Sequence, residues 1–356
     1  MTITKKILFV FTGGTIGSLA DQGSINVHSS AHYLLLAQFQ QRFRQFEAVE
    51  FKIVQPLSLL SENLVPEDWC TLISAINKEQ PEHYAGVIIT HGTDTLSFTA
   101  ALLSLYFHRL SVPILLVSID FPLTDARANG LGNFVCAVDF INQRVIDHGV
   151  FVPYRNAGQA QLVHRGNRLT ASLPLGSDFI GIQNQSYLHY ADGIFTPSHT
   201  SLKLQPHPRQ SFNLMANFSQ RIVLVRPYPG LNYQLFNLEG VGCVLHDLYH
   251  SGTACASPNS EQERYGLPAF LTRCRNQQIP VYLAPAIYSD NAYQSTLSLI
   301  DLGATVLWNL TLEVAYGKLL LAYGNFDSAG ILADFLAANL ADEQILTQCL
   351  TLHYLI

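Results

Sequence analysis

Three stretches in the first third of the chain have the length of β-strands and are apolar without alternation: Ile7–Phe11, Gly86–Thr90 and Pro113–Val117. An alternating strand has one face in water, whereas a continuous apolar strand is typical of a parallel sheet covered on both faces. Segments with helical spacing or helix-start signals separate or follow these strands. They span Ala31–Phe46, Val65–Lys78, Leu96–Leu110 and Asn129–Asp147. This alternation predicts an α/β fold with an open, doubly wound sheet.

The length of 356 residues suggests two domains, each large enough for its own core. Residues 197–219 include three prolines and show no clear period, which is typical of a linker. We therefore predict two doubly wound α/β domains, a larger one over 1–196 and a smaller one over 220–356. The second is indicated by strand-like and helix-like segments at Arg221–Val225, Gly242–Leu245, Pro268–Gln277, Pro280–Ala284 and Ser328–Ala338.

The composition is that of a well-buried globular protein with a lightly charged surface. Hydrophobic residues make up 48% of the chain and charged residues 13%, with a formal net charge of −6. This balance builds no basic groove and argues against nucleic acid as a ligand, whereas the weakly charged surface suits contacts between subunits. The apolar run Ile7–Phe11 is too short for a signal peptide or a membrane span. We expect a cytoplasmic protein that has no membrane contact.

The cysteines and histidines give no clear metal signature. No two of the six cysteines form a CxxC pair, so we interpret them as mostly buried thiols. His246 and His250 have a spacing found among metal ligands, but no third ligand cluster accompanies them. We interpret them as ordinary core or surface histidines and predict no metal site.

Two strands of the first domain end in unusual loops, Thr12–Gly17 and His91–Thr95. In open α/β sheets, ligands bind beyond the carboxyl ends of the strands. The first loop is not a phosphate-binding loop, because no lysine occurs between Lys6 and Lys52 and because its glycine spacing, G-G-x-x-G, does not fit a dinucleotide fingerprint. Taken alone, it could be a plain turn between a strand and a helix.

The second loop favours catalysis, because Thr93 places a hydroxyl beside the Asp94 carboxylate at a neighbouring strand end. A threonine hydroxyl is a weak nucleophile unless a base or the local field activates it. Backbone N–H groups in glycine-rich turns and at helix N-termini are good donors to an oxyanion. The two loops together therefore suggest acyl transfer with a threonine nucleophile.

The stretches "TGGTIG" at 12–17 and "HGTDT" at 91–95 resemble the two signature motifs of the bacterial-type L-asparaginases. The cytoplasmic type I branch is the most similar, since "VPEDW" at 65–69, "RGNR" at 165–168 and "YPG" at 228–230 also have counterparts there. The resemblance implies two α/β domains, a homodimer or homotetramer, and no metal or cofactor.

The resemblance also implies a reaction, the hydrolysis of L-asparagine to L-aspartate and ammonia. Thr15 matches the nucleophile that forms the acyl-enzyme, and Thr93 matches a second threonine that helps to position or activate the attacking group. Asp94 matches the residue that engages the α-amino group of the substrate. Ser61 matches a serine that contacts the α-carboxylate, and Glu62 falls beside it in the same loop.

The chain departs from the family pattern at groups that would activate the threonines. Ala171 stands where the family has a lysine that pairs with the second threonine and the aspartate, and Ser24 stands where a tyrosine is usual. The strand end at Ser118 lacks the usual Thr-Gly, and Thr253 replaces an asparagine. Two hypotheses stay open: a working asparaginase-like amidohydrolase, with glutamine or a larger amide as a possible alternative substrate, or a weakened homologue that binds an amino acid with little turnover.

Overall fold

The computed structural model of this chain describes residues 4–13, 18–21, 24–27, 31–42, 49–198, 212–256, 260–289 and 293–345. The chain divides into two compact units, Met1–Lys203 and Leu204–Ile356. Residues 199–211, the larger part of the predicted linker, lie outside the described residues. The predicted boundaries at 196 and 220 therefore stay predictions.

Within the described part of the first unit, eight strands form one sheet and two more form a separate antiparallel hairpin. In the sheet, β4, β1, β5, β6 and β7 are parallel neighbours, and β8, β9 and β10 continue it in antiparallel fashion. The sheet strands are β1 (Lys5–Val10), β4 (Val49–Val54), β5 (Gly86–Thr90), β6 (Pro113–Val117), β7 (Gly149–Tyr154), β8 (Gln161–Arg165), β9 (Leu188–Ala191) and β10 (Ile194–Pro197), and the hairpin strands are β2 (Ser18–Asp21) and β3 (Ser24–Val27).

Both faces of this sheet are covered, as the continuous apolar strands predict. Phe9 belongs to a core cluster that includes Phe39 and Phe134, whereas its neighbours Leu8 and Val10 are fully buried on the opposite face. Successive side chains of a strand point to opposite faces, so a strand buried at every position needs helices on both sides. The α-helices in the described part of this unit are α1 (Ala31–Arg42), α2 (Pro66–Lys78), α3 (Leu96–Tyr106) and α4 (Gly130–Gln143).

The helix predicted over Asn129–Asp147 ends earlier, at Gln143, because Arg144 adopts a left-handed conformation with φ of 52°. The Arg144 N–H bonds to the Ile141 carbonyl and the Val145 N–H to the Phe140 carbonyl. This pair of bonds satisfies the last carbonyls of the helix and stops it.

The second unit contains a smaller, wholly parallel sheet with the strand order β11-β12-β13-β14. Val281 and Leu283 of β13 pack in the core cluster with Phe270 of α5, whereas the Tyr282 hydroxyl meets that of Tyr323 on α7 at 3.0 Å. Helices therefore cover this sheet on both faces as well. Its elements are β11 (Ile222–Val225), β12 (Cys243–His246), α5 (Leu267–Asn276), β13 (Val281–Ala286), α6 (Gln294–Asp301), β14 (Thr305–Trp308), α7 (Leu312–Asn325) and α8 (Ala329–Ala337).

The strand order locates the expected ligand site. In the first unit the parallel strands run β4-β1-β5-β6-β7, so the chain passes from β1 to one side and then returns to the other side at β5. Such a reversal opens a crevice at the carboxyl ends of the two central strands, here β1 and β5. The second sheet adds its strands in sequence order without a reversal. The predicted fold class is confirmed, and the first unit contains the switch point.

Candidate active site

The carboxyl ends of β1 and β5 are joined by two threonines. The Thr12 hydroxyl donates to the Thr90 carbonyl at 2.6 Å, and the Thr12 N–H donates to Thr90 Oγ1 at 3.2 Å. Both side chains are buried, so each hydroxyl is satisfied without water. This reciprocal pair fixes where the first motif leaves the sheet.

Gly13 follows at once and passes against the backbone of Leu59. A Cβ atom at this position would lie 2.5 Å from the Leu59 carbonyl oxygen, and the φ of 102° is one that glycine adopts without strain. The Leu59 N–H donates to the Thr12 carbonyl at 3.1 Å, which anchors the two segments. Thr15, the predicted nucleophile, comes two residues later and lies outside the described residues.

Ser61 and Asp94, both predicted from the sequence as substrate-binding residues, are in direct contact. The Ser61 hydroxyl donates to Asp94 Oδ2 at 3.0 Å and accepts the Asp94 N–H at 3.2 Å. The Thr95 hydroxyl donates to the Ser61 carbonyl at 2.9 Å. Ser61 is buried and Asp94 is exposed, so the buried serine holds in place a carboxylate that faces solvent.

Thr93 and Glu62 flank this pair. Thr93 is half-buried and its carbonyl accepts the Leu96 N–H at 3.4 Å, at the beginning of α3. The positive end of the α3 dipole therefore lies beside the loop and favours negative charge there. Glu62 is exposed in a short 3-10 turn over Ser61–Asn63.

His91 is the first residue of the second loop, and its side chain is almost completely buried. Burial lowers the pKa of its imidazole to about 4, against smaller opposing effects of a hydrogen bond to the Gly92 carbonyl and of the Asp94 charge. The ring is therefore neutral at neutral pH, which excludes it as a permanent cation in place of the missing lysine.

Ala171 lies in an ordered loop that follows β8 and a 3-10 turn over Gly166–Arg168. The turn packs closely on α3, because a Cβ atom on Gly166 would lie 2.9 Å from the Ala100 carbonyl oxygen. The Thr170 N–H and hydroxyl both donate to the Ile180 carbonyl, at 3.2 and 3.1 Å. The loop thus has a defined course, and its residue 171 carries a methyl group where the family pattern has a cation. Ser24 is part of β3, and its side chain lies outside the description.

The remaining predictions concern the second unit and the absence of a metal. His246 is buried and its Nε2 meets the Tyr233 hydroxyl at 2.7 Å, whereas His250 is exposed. Across the described ranges, no three His, Cys, Asp or Glu side chains are grouped as a metal ion requires.

Of the described cysteines, three are buried, but Cys70 is half-buried and Cys255 is exposed. None of the helices in those ranges combines the length and the apolar character that a bilayer crossing needs.

Two contacts at this site join residues whose roles were not predicted from the sequence. The Thr12–Thr90 pair joins the strand ends, and His91 is hydrogen-bonded to Thr99 at 2.9 Å. Their only signal in the sequence was that Thr12 and His91 fall inside the two quoted motifs.

Comparison with known proteins gives the family. A profile of the asparaginase N-terminal domain matches residues 6–196, more than half of the chain. The chain belongs to the asparaginase family. The resemblance inferred from the two motifs is thereby confirmed, and the match extends over the whole first unit apart from its ends.

Individual relatives of this asparaginase-family protein carry different names. It is 24% identical over 352 residues to one of the subunits of the glutamyl-tRNA(Gln) amidotransferase of Methanosphaera stadtmanae, a match that covers 95% of this chain and 76% of that protein. It is 30% identical over 232 residues to L-asparaginase 1 of Escherichia coli K12, a match that covers 64% of this chain and 65% of that protein. The solved thermostable L-asparaginase from Thermococcus kodakarensis shares the fold, with a TM-score of 0.77 and 22% identity over 96% of this chain and 99% of that one.

Proposed function

We propose that this asparaginase-family protein hydrolyses L-asparagine to L-aspartate and ammonia through an acyl-enzyme on Thr15. The observation that carries the proposal is the Ser61–Asp94 hydrogen bond of 3.0 Å at the switch point of the sheet. It sets a hydroxyl and an exposed carboxylate side by side, which suits a ligand that carries both an ammonium and a carboxylate group.

The hydrogen-bond pattern gives each of these groups a role. The single proton of the Ser61 hydroxyl points to Asp94 in the free protein. An α-ammonium group bound at Asp94 would satisfy that carboxylate, and the Ser61 proton would then be free to turn to the α-carboxylate. The side-chain amide would extend from this anchor toward the first motif. Thr93 would position the attacking group, and Glu62 would lie at the rim.

The proposed hydrolysis has two steps, the formation of an ester on Thr15 and its hydrolysis. The Thr15 hydroxyl oxygen bonds to the amide carbon, the C–N bond breaks, and the hydroxyl proton leaves with the departing ammonia. Water next attacks the ester, releases aspartate and returns a proton to Thr15. Equal amounts of ammonia and aspartate from asparagine are the expected result. The proposal would be refuted if the purified chain released no ammonia above background from asparagine, glutamine or small amides.

The second candidate is a homologue that binds an amino acid with little turnover, and Ala171 is the observation that favours it. The lysine of the family pattern would favour an ionised partner beside Thr93, and an alanine at position 171 supplies no such charge. Aspartate would then raise the melting temperature, because a ligand that binds the folded state stabilises it, while ammonia release stayed at background. The variant Ala171→Lys separates the two cases: it should raise a weak activity if the missing cation is the defect.

A third candidate comes from the amidotransferase relative, whose match spans 95% of this chain. A protein of that kind would act as one subunit of an amidotransferase and would need partner subunits for its reaction. We prefer the hydrolase, because L-asparaginase 1 is 30% identical over its matched 232 residues and because this chain covers only 76% of the amidotransferase subunit. Ammonia release by the purified chain alone supports the hydrolase, and release only with a partner supports the amidotransferase.

We also propose that the protein works as a homodimer or homotetramer in the cytoplasm, without nucleic acid or membrane. The low content of charged residues, 13%, supports subunit contacts. Light scattering of the purified chain tests this, and a monomer at micromolar concentration would contradict it.

A further inference from the structure

Three side chains from three elements form a hydrogen-bonded chain beneath the candidate site. The Trp69 indole Nε1 of α2 is 2.9 Å from Thr99 Oγ1 of α3. Thr99 Oγ1 is 2.9 Å from His91 Nε2, and His91 Nδ1 is 2.8 Å from the Gly92 carbonyl oxygen. All three side chains are buried, with at most 4% of their surface exposed.

The direction of the chain follows from its two ends. An indole N–H can only donate, so Trp69 donates to Thr99. A carbonyl oxygen can only accept, so His91 carries its proton on Nδ1 and donates to Gly92. His91 Nε2 is then the acceptor in the neutral ring, and the Thr99 hydroxyl donates to it. In these three hydrogen bonds each donor and each acceptor is used once, and only the Nδ1–H tautomer of His91 fits.

The use of Thr99 is unusual for a helical threonine. A threonine inside a helix commonly bonds its hydroxyl back to the carbonyl four residues earlier. Here the Thr99 N–H alone bonds to the Thr95 carbonyl, at 3.1 Å, and the hydroxyl turns to His91 instead. The hydroxyl contact therefore holds His91 at the start of the loop that carries Asp94, and the backbone hydrogen bonds of α3 do not depend on it.

Gly92 connects this chain to the site. A Cβ atom on Gly92 would lie 2.4 Å from Ser61 Oγ and 2.7 Å from Ser61 Cβ, so the Gly92 backbone lies directly against the serine. Gly92 is also only two residues from Asp94, which accepts the Ser61 proton. Any rotation of the Gly92 peptide would push on Ser61 and carry Thr93 and Asp94 with it.

We propose that Trp69, Thr99 and His91 are positioning residues. Trp69 and Thr99 hold the His91 ring in its Nδ1–H tautomer, and His91 in turn fixes the Gly92 peptide. The position of that peptide determines where Ser61, Thr93 and Asp94 lie. As a statement about catalysis, this rests on the proposed amidohydrolase function. The pKa of His91, lowered to about 4 by burial, agrees with the neutral ring that this direction requires. Asp94 is the charged group that acts on this ring.

The test uses Thr99→Val, which replaces the hydroxyl by a methyl group of similar size, and Thr99→Ser, which keeps the hydroxyl. The matched control is Thr71→Val on α2, where the hydroxyl donates to the Glu67 carbonyl of its own helix, at 3.1 Å. Thr99→Val should lower kcat/KM on the order of 10- to 100-fold through misplacement of the site, with KM raised as well as kcat lowered, because Ser61 and Asp94 bind the substrate and Thr93 positions the attacking group. Thr99→Ser and Thr71→Val should stay within about 3-fold of the unmodified enzyme.

A second readout is independent of activity. In ¹⁵N NMR spectra of the full chain, the unmodified protein and Thr99→Ser should show one Nδ1–H form of His91. Thr99→Val should broaden or lose that signal and shift the amide signals of Gly92–Asp94. If Thr99→Val does not fold, Trp69→Phe removes the first donor together with part of the buried ring and should shift the same signals less.

The two readouts separate failure of this inference from failure of the proposed function. His91 protonated on Nε2, or unchanged Gly92–Asp94 signals in Thr99→Val, would overturn the positioning role whatever the activity. An unmodified enzyme without turnover, but with the expected NMR changes, would refute the amidohydrolase and leave the positioning of the loop supported.

Discussion

Replacing Gly92 by alanine tests whether the Ser61–Asp94 pair does the binding that we assign to it. Gly92 has no side chain, and its Cα hydrogen faces Ser61. The added Cβ would meet Ser61 Oγ at 2.4 Å and Ser61 Cβ at 2.7 Å, where ordinary contacts begin at 3.4 Å. Ser61 must therefore retreat by roughly 1 Å, since close-packed interiors leave no slack.

The size of the effect follows from the bonds that this retreat weakens. Ser61 Oγ bonds to Asp94 at 3.0 Å through the carboxylate and at 3.2 Å through the backbone N–H, and a retreat of Ser61 away from Asp94 lengthens and weakens both bonds. In the proposed complex, Ser61 accepts one neutral bond from the Asp94 N–H and donates one bond to the charged α-carboxylate of the substrate, and these two bonds together contribute about 2–4 kcal/mol. If that anchor is lost to the substrate, kcat/KM should fall on the order of 30- to 1000-fold.

The assay is coupled ammonia release at subsaturating asparagine, with urea unfolding measured in parallel. The matched control is Gly132→Ala in α4, where the nearest atom to the added Cβ is Gln161 Oε1 at 3.7 Å. It should keep full activity and gain up to about 1 kcal/mol in the free energy of unfolding, since alanine favours a helix. If Gly92→Ala also keeps full activity, the Ser61–Asp94 pair does not anchor the substrate.

Two further predictions concern stability. Lys318 and Glu343 form an ion pair at 2.8 Å with both side chains fully buried, so Glu343→Gln should cost about 3–5 kcal/mol in urea unfolding by leaving a buried charge. The double variant Lys318→Met, Glu343→Gln should recover most of that loss, and a single variant that loses under about 1 kcal/mol would contradict the reasoning. Burial lowers the pKa values of His91, His164 and His246 to about 4, so between that pH and 6.5 the unfolded chain binds more protons than the folded one. The free energy of unfolding should therefore fall as pH drops from 6.5 toward 4, by up to about 1.4 kcal/mol per pH unit for each histidine, and urea midpoints that do not change between pH 7 and pH 5 would contradict this.

The sequence predicted the central strands well because their environment is uniform. β5 and β6 have the predicted bounds, since each is an apolar run buried at every position. β4 was not predicted, because only continuous apolar runs were interpreted as strands, whereas in this edge strand the exposed Glu50 and Lys52 alternate with apolar residues. α7 was also missed: nearly all of it is buried, so its sequence shows no polar face from which a helical period could be read.

At the site, the motifs predicted which loops matter but not how they are held. Ser61 and Asp94 were assigned by resemblance to a family, and their hydrogen bond agrees with that grouping. The Trp69–Thr99–His91 chain could not be foreseen, because its members come from α2, α3 and the end of β5 and meet only in the folded protein. Such contacts depend on tertiary packing, which local spacing does not encode.

The most direct test of the central claim is the rate of ammonia release from L-asparagine by Thr15→Ala compared with Thr15→Ser and the unmodified enzyme. An acyl-enzyme on Thr15 requires a hydroxyl at this position. We predict that Thr15→Ala loses on the order of 1000-fold or more in kcat, as expected when a nucleophile is removed, and that Thr15→Ser keeps measurable turnover. A Thr15→Ala enzyme that stays within about 10-fold of the unmodified rate would show that another group carries the reaction.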